Sequence, residues 1–301
     1  MGAKGSITRD EDFMVNMFVA SMHNTILFFT EMGRCFWLKV YQIPEGARAS
    51  KGRAIQNLIN IEKEDTVKTF VNLKDLKDQE YINNNYIVLA TKKGVIKKTR
   101  LEAYSRPRQN GINAIIVREG DTLLDARLTD GNTELMLAVR SGKAIRFHEE
   151  TVRPVGRTAS GVKGITLGSA RDEVVGIVTA KKGEKDILVI SENGFGKRSM
   201  LEDYRFTNRG GKGVKTINIT DKTGELIAIK AVTDEDDLMI ITENGIAIRL
   251  AVRGVRVMGR NTQGVRLINL REGDQIAAAT QVPANDDNEE QDNTATGDVE
   301  D

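Results

Sequence analysis

The sequence predicts an all-β fold built from radial, blade-like repeats, and two observations carry that prediction. A glycine in a hairpin-type turn recurs five times, at Gly33, Gly94, Gly142, Gly194 and Gly245, separated by 61, 48, 52 and 51 residues. A second glycine follows each in a basic loop, at Gly52, Gly111, Gly161, Gly213 and Gly264, after 19, 17, 19, 19 and 19 residues. Short strands repeating with a period near 50 residues are the mark of radial β architectures.

Each element of the unit has its own signal. The units open at residues 24, 85, 133, 185 and 236 with an apolar, β-rich run such as Ile26–Phe29, Ile87–Leu89 or Leu238–Ile241. A tight turn follows, and Asn193-Gly194 and Asn244-Gly245 are strong hairpin signals because both residue types tolerate positive φ. A second strand, the basic loop and two further apolar runs, for example Val265–Leu270 and Ile276–Val282, complete four strands per blade. The repeats therefore span 24–84, 85–132, 133–184, 185–235 and 236–282. Residues 74–84, KDLKDQEYINN, read as a polar insertion. Residues 1–23 read as a half blade, with Gly5 at the second-glycine position and Phe13–Ala20 as its last strand. About five and a half blades are expected in 1–282, the first cut midway, so the chain is expected to be a fragment. No long stretch keeps a 3.6-residue period, so little helix is expected.

Composition narrows the function. The net charge of +1 hides a division, because residues 283–301 hold eight acidic side chains and no Lys or Arg. Without them, 44 basic face 35 acidic residues, a body charge of +9. The tail has almost no apolar residues, so it is expected to be disordered and either to solubilise the chain or to compete for the basic body's ligand. Between the paired glycines, 22 basic face 6 acidic residues, +16, while the rest of 1–282 sums to −7. A propeller sets equivalent loops around its rim, so this segregation predicts a basic belt. Such a belt suits a long polyanion, and its scarcity of aromatics favours duplex backbone contact over single-strand stacking. No apolar run approaches the roughly 18–20 residues of a membrane span, and there is no export signal. The lone Cys35 excludes an internal disulfide. A cytoplasmic location without membrane partners is expected.

The sharpest local motif is Thr207-Asn208-Arg209-Gly210-Gly211-Lys212-Gly213. Its glycines permit close backbone approach, and Arg209 and Lys212 flank them as phosphate-seeking cations. It is not a nucleotide-binding P-loop, since GxxxxGK[ST] is absent. The motif resembles the GyrA box of the C-terminal domain of DNA gyrase A. RCFWLKVYQIP (34–44), ARASKGRAIQNLI (47–59) and MGRNTQGVRLI (258–268) carry the same resemblance, which covers essentially residues 2–282. It implies a six-bladed β-pinwheel that wraps duplex DNA around its rim in a right-handed sense, supporting ATP-dependent negative supercoiling by the whole enzyme. It also implies the rest of gyrase A, together with gyrase B, as partners in a heterotetramer associated with the nucleoid. ATP and Mg are then expected elsewhere in that assembly, with no cofactor, metal site or catalytic residue in this chain. In the family the box lies in the first blade, whereas TNRGGKG here lies late, and Gly2 with Lys4-Gly5 reads as the trailing end of a cut first-blade copy.

The expected DNA-contacting residues are Arg48, Lys51, Arg53, Lys97, Lys98, Arg106, Arg108, Arg153, Arg157, Lys163, Lys197, Arg198, Arg205, Arg209, Gly210, Gly211, Lys212, Gly213, Lys215, Arg256, Arg260 and Arg266. Three rival readings remain. The first is an enzyme, against which stand only two histidines (His23 and His148) and no HExxH or GxSxG motif. The second is a protein-interaction propeller. The third is the equivalent C-terminal domain of topoisomerase IV. Tyr41 and Tyr204 are expected to pack at blade edges.

Overall fold

The structure, a computed structural model, describes residues 20–46, 52–180 and 186–283. The half blade before residue 20, the acidic tail, Arg48 and Lys51 lie outside the described residues. The first repeat forms β1 (Thr25–Thr30), β2 (Arg34–Lys39) and β3 (Val67–Leu73). The only α-helix among the described residues, α1 (Gln79–Asn84), lies in the polar insertion, its N-terminus capped by the Asp78 side chain. The second repeat gives β4 (Tyr86–Thr91), β5 (Val95–Arg100), the two-residue β6 (Ile112–Asn113) and β7 (Leu123–Thr129). The third gives β8 (Glu134–Val139), β9 (Lys143–His148), β10 (Val162–Lys163) and β11 (Val174–Ala180). The fourth gives β12 (Asp186–Ser191), β13 (Phe195–Met200), β14 (Val214–Lys215) and β15 (Leu226–Val232). The fifth gives β16 (Asp236–Thr242), β17 (Ala247–Ala251), β18 (Val265–Arg266) and β19 (Ile276–Pro283).

These strands form five antiparallel sheets, each built on the predicted hairpin. The five turn glycines all have positive φ, from 78° to 87°, which a side chain would strain. The fourth strand departs from the one-repeat-per-blade expectation, because each blade takes its outer strand from the following repeat. Thus β6 pairs with β2, β10 with β5, β14 with β9 and β18 with β13. The last sheet has three strands among the described residues.

This exchange explains the second glycines. A Cβ on Gly161 would stand 2.6 Å from the Ile96 carbonyl oxygen, and one on Gly213 would stand 2.5 Å from that of Ala144. The loop therefore crosses so close to the preceding blade that only glycine fits. Gly52, with no blade before it among the described residues, has nothing within 4 Å.

The core lies between blades. On β4, Ile87 and Leu89 pack towards the first sheet, while Val88 and Ala90 pack towards the third. On β12, Ile187 and Val189 face the third sheet, while Leu188 and Ile190 face the fifth. A strand buried on both faces reads as a continuous apolar run rather than an alternating one. Successive third strands (β3, β7, β11, β15, β19) pack against one another, which leaves the short fourth strands at the opposite edge of each sheet, the rim.

Candidate nucleic-acid interface

The rim is built from the segment that each repeat lends to the blade before it. Main-chain hydrogen bonds at equivalent places link neighbouring loops along it: Ile116 donates to the Ala159 carbonyl, Thr166 to Gly211 and Asn218 to Thr262, at 3.2, 2.9 and 3.0 Å. The exchanged strands present Lys163, Lys215 and Arg266 at one equivalent position, all exposed, with Asn113 taking that place in the first blade. A second equivalent position, just after the 3-10 turn that follows each second strand, holds Arg153, Arg205 and Arg256, also exposed. Arg53, Arg106, Arg108 and Lys212 complete the exposed cations among those expected.

Three expected contacts instead act as clamps. The guanidinium groups of Arg157, Arg209 and Arg260 donate through Nη1 to the carbonyls of Asn113, Lys163 and Lys215, at 3.1, 3.1 and 3.0 Å. Arg209 Nε also donates to the Thr151 carbonyl at 2.8 Å, and Arg260 Nε to that of Asp203 at 3.0 Å. Each arginine thus ties its own loop to the neighbouring blade and leaves part of its donor fork open at the surface. In the RGGKG loop, Gly210 and Gly213 have positive φ, and Gly210 donates to the Gly164 carbonyl at 2.6 Å. Gly211 accepts the bond from Thr166, so these glycines shape the loop and Lys212 carries its free charge.

Four expected contacts are corrected by the structure. Lys97, Lys98, Lys197 and Arg198 are buried, at 1, 3, 0 and 7% exposure. They sit on β5 and β13, which lie between neighbouring sheets beneath an exchanged edge strand, so their side chains face protein. Lys97 Nζ donates to the Ala114 and Arg157 carbonyls, and Lys197 Nζ to the Gly259 carbonyl and Thr262 hydroxyl. Burial, assisted by the Arg157 guanidinium, lowers Lys97 to about 7. Burial lowers Lys197 to about 8, Asp203 opposing and Arg260 adding to the shift.

Lys98 belongs to an inter-blade staple that sequence reading missed. The residue four after the turn glycine donates to a carbonyl at the next repeat's 3-10 turn. Trp37 Nε1 reaches Tyr104 at 2.8 Å, Lys98 reaches Glu149 at 2.9 Å, Arg146 reaches Leu201 at 2.8 Å and Arg198 reaches Val255 at 2.9 Å. Counted between the glycines, five basic side chains (Lys97, Lys98, Arg146, Lys197, Arg198) and one acid (Glu149) are buried. Among the described residues that leaves 15 basic against 5 acidic, so the described part of the belt keeps +10. Tyr204 is buried as expected, whereas Tyr41 is exposed. Phe206 is 55% exposed. Among the described residues no cluster of His, Cys, Asp or Glu could hold a metal ion, and no helix is long and apolar enough to cross a membrane.

Comparison with known proteins agrees with this architecture. DNA gyrase A of Staphylococcus epidermidis is 44% identical over 288 residues, covering 95% of this chain and 32% of that protein. DNA gyrase A of Staphylococcus aureus is 43% identical over 296 residues, covering 98% and 33%. The chain thus spans about a third of the length of these relatives. Among solved structures, the C-terminal domain of DNA topoisomerase IV superposes with a TM-score of 0.77 at 25% identity, over 87% of this chain and 80% of that one. The DNA gyrase A C-terminal domain superposes with 0.75 at 20% identity, over 93% and 92%. A family model described as the DNA gyrase C-terminal domain, beta-propeller, matches residues 24–73, 85–130, 133–181, 185–233 and 236–283, and the chain belongs to that family.

Proposed function

We propose that the rim binds duplex DNA and bends it around the blades, as the non-catalytic wrapping domain of a gyrase. The observation that carries this reading is the recurrence of exposed cations at two equivalent positions: Lys163, Lys215 and Arg266, and Arg153, Arg205 and Arg256. Neutralising phosphates around an arc releases counterions and offsets the cost of bending a stiff duplex. The main-chain bonds between loops hold the cations in place before DNA arrives, so little ordering entropy is lost on binding. The gyrase A relatives, at 43–44% identity over nearly the whole chain, support gyrase.

On this reading the rest of gyrase A, together with gyrase B, are the partners, in a cytoplasmic, nucleoid-associated heterotetramer. ATP, Mg and strand cleavage belong to those other parts, and this domain presents the DNA segment to be passed. The test is ligation of nicked circular DNA with protein bound. A positive linking change per bound chain, lost at moderate salt, supports wrapping. Salt-insensitive binding with no linking change would point to a protein-interaction propeller instead.

A further inference from the structure

We propose that Glu102, Glu150 and Glu202 form an acidic border that keeps the duplex off one end of the blades and so makes its path oblique. This inference rests on the reading of the rim as a duplex-DNA surface. The three glutamates stand eight residues after the turn glycines Gly94, Gly142 and Gly194, and each is exposed. Each sits in the 3-10 turn that leads from a second strand towards the rim, at Leu101–Tyr104, Glu149–Thr151 and Leu201–Asp203. These three turns hold five acids and no Lys or Arg.

The border lies to one side of both cation rows. On β5, Lys163 pairs with Val95 beside the hairpin turn, and Pro154, next to Arg153, bridges Lys98. Glu102 follows beyond the far end of that strand, after Arg100. The clamps mark the same end, because Arg209 and Arg260 reach the carbonyls of Thr151 and Asp203, the residues after Glu150 and Glu202. At the hairpin end the signs are mixed, with Lys92, Lys93 and Arg140 against Glu192 and Glu243. Pro283 closes β19 opposite Asp236, the first residue of β16, so the eight acids of the tail follow on from the glutamate end.

Local folding does not require these acids. So short a turn has almost no dipole for an acid to complement, and Tyr41 and Arg253 hold the same place in the first and fifth repeats. Their effect is on the ligand. Glu150 precedes Arg153, and Glu202 precedes Arg205, by three residues, a span of at most about 11 Å and so close to the Debye length at moderate salt. A phosphate drawn by either arginine is repelled by the glutamate and settles towards the hairpin end. Along the three middle blades the duplex is barred from the glutamate end, and it crosses to that end only beyond them. A duplex bent within one plane adds no writhe, whereas an oblique path does, so the border serves the linking change.

The test compares the full chain with a border variant combining Glu102→Gln, Glu150→Gln and Glu202→Gln. A control variant makes the same charge change at the hairpin end, with Glu62→Gln, Glu119→Gln and Glu243→Gln. Duplex affinity and linking change per bound chain are read at low salt, and thermal melting checks that each variant folds. Both variants are expected to bind several-fold more tightly. Only the border variant is expected to lose at least half of the linking change, because a duplex no longer displaced runs flat. Aspartate at the same three positions keeps the charges and is expected to keep the linking change. A glutamine border variant with its full linking change would overturn the border while leaving wrapping intact, as would an equal loss in the control or the aspartate variant. Absence of any linking change from the unaltered chain would remove the wrapping reading itself, and the border with it.

Discussion

Lys97 and Arg157 are joined through the backbone: the lysine Nζ donates to the Arg157 carbonyl oxygen at 2.8 Å, while the arginine's guanidinium helps to depress the lysine's pKa. A cation counted as part of a DNA-binding belt thus holds the chain that displays the belt. Its neutral amine still has two N–H donors for the two carbonyls it meets, those of Ala114 and Arg157.

Stability should therefore rise with pH in the alkaline range. Lys97 falls on folding from an ordinary value of 10.5 to about 7, so between those values the unfolded chain holds a proton that the folded chain has released. Lys97 alone can contribute a rise of no more than about 1.4 kcal/mol per pH unit. Urea unfolding from pH 7 to pH 10 should show this rise, and Lys97→Met should flatten it. Lys197→Met should flatten only the part above about 8.

Rim cations and clamps should separate by experiment. Lys215→Ala removes an exposed charge, so it should lower the slope of log affinity against log salt by about 0.9 and leave stability within about 0.5 kcal/mol. Arg209→Lys keeps the charge but loses the fork that holds the Thr151 and Lys163 carbonyls, and should cost about 1–3 kcal/mol. Paired salt titrations and chemical denaturation would reveal the difference.

The exchanged strands should make the second glycines unequal. Gly213→Ala places a methyl group 2.5 Å from the Ala144 carbonyl at a φ of 69°, and should destabilise by about 2–4 kcal/mol. Gly52→Ala meets nothing within 4 Å and should change stability by no more than about 0.5 kcal/mol. Thermal melts of the two variants check this.

The eight acids of the tail oppose a belt of the other sign. Deleting residues 284–301 should raise affinity for duplex DNA several-fold at low salt, and the gain should fade as the ions screen. Equal affinity with and without the tail would leave it a solubilising segment.

The hairpins were legible because Asn193-Gly194 and its counterparts need positive φ at a fixed place. The exchange of strands was not, since Val214–Lys215 is two residues long and nothing local says which β-edge it joins. Its trace was nevertheless present: Gly161 and Gly213 recur for a reason that only a close neighbour supplies. The belt was overcounted for the same cause. Lys97 and Lys98 fall between the glycines but lie on β5, opposite Leu89 and Val88, where a covered strand leaves no room for solvent.

Because Lys163, Lys215 and Arg266 stand on strands zipped to the preceding blade, a tangential pull on any of them loads two repeats at once. The short antiparallel ladders tie the pulled side chain to the preceding repeat, while the Arg209 and Arg260 clamps and the loop-to-loop bonds tie it to the following one. Tension would be passed from blade to blade as along overlapping roof tiles, so one blade resists being peeled away without its neighbour.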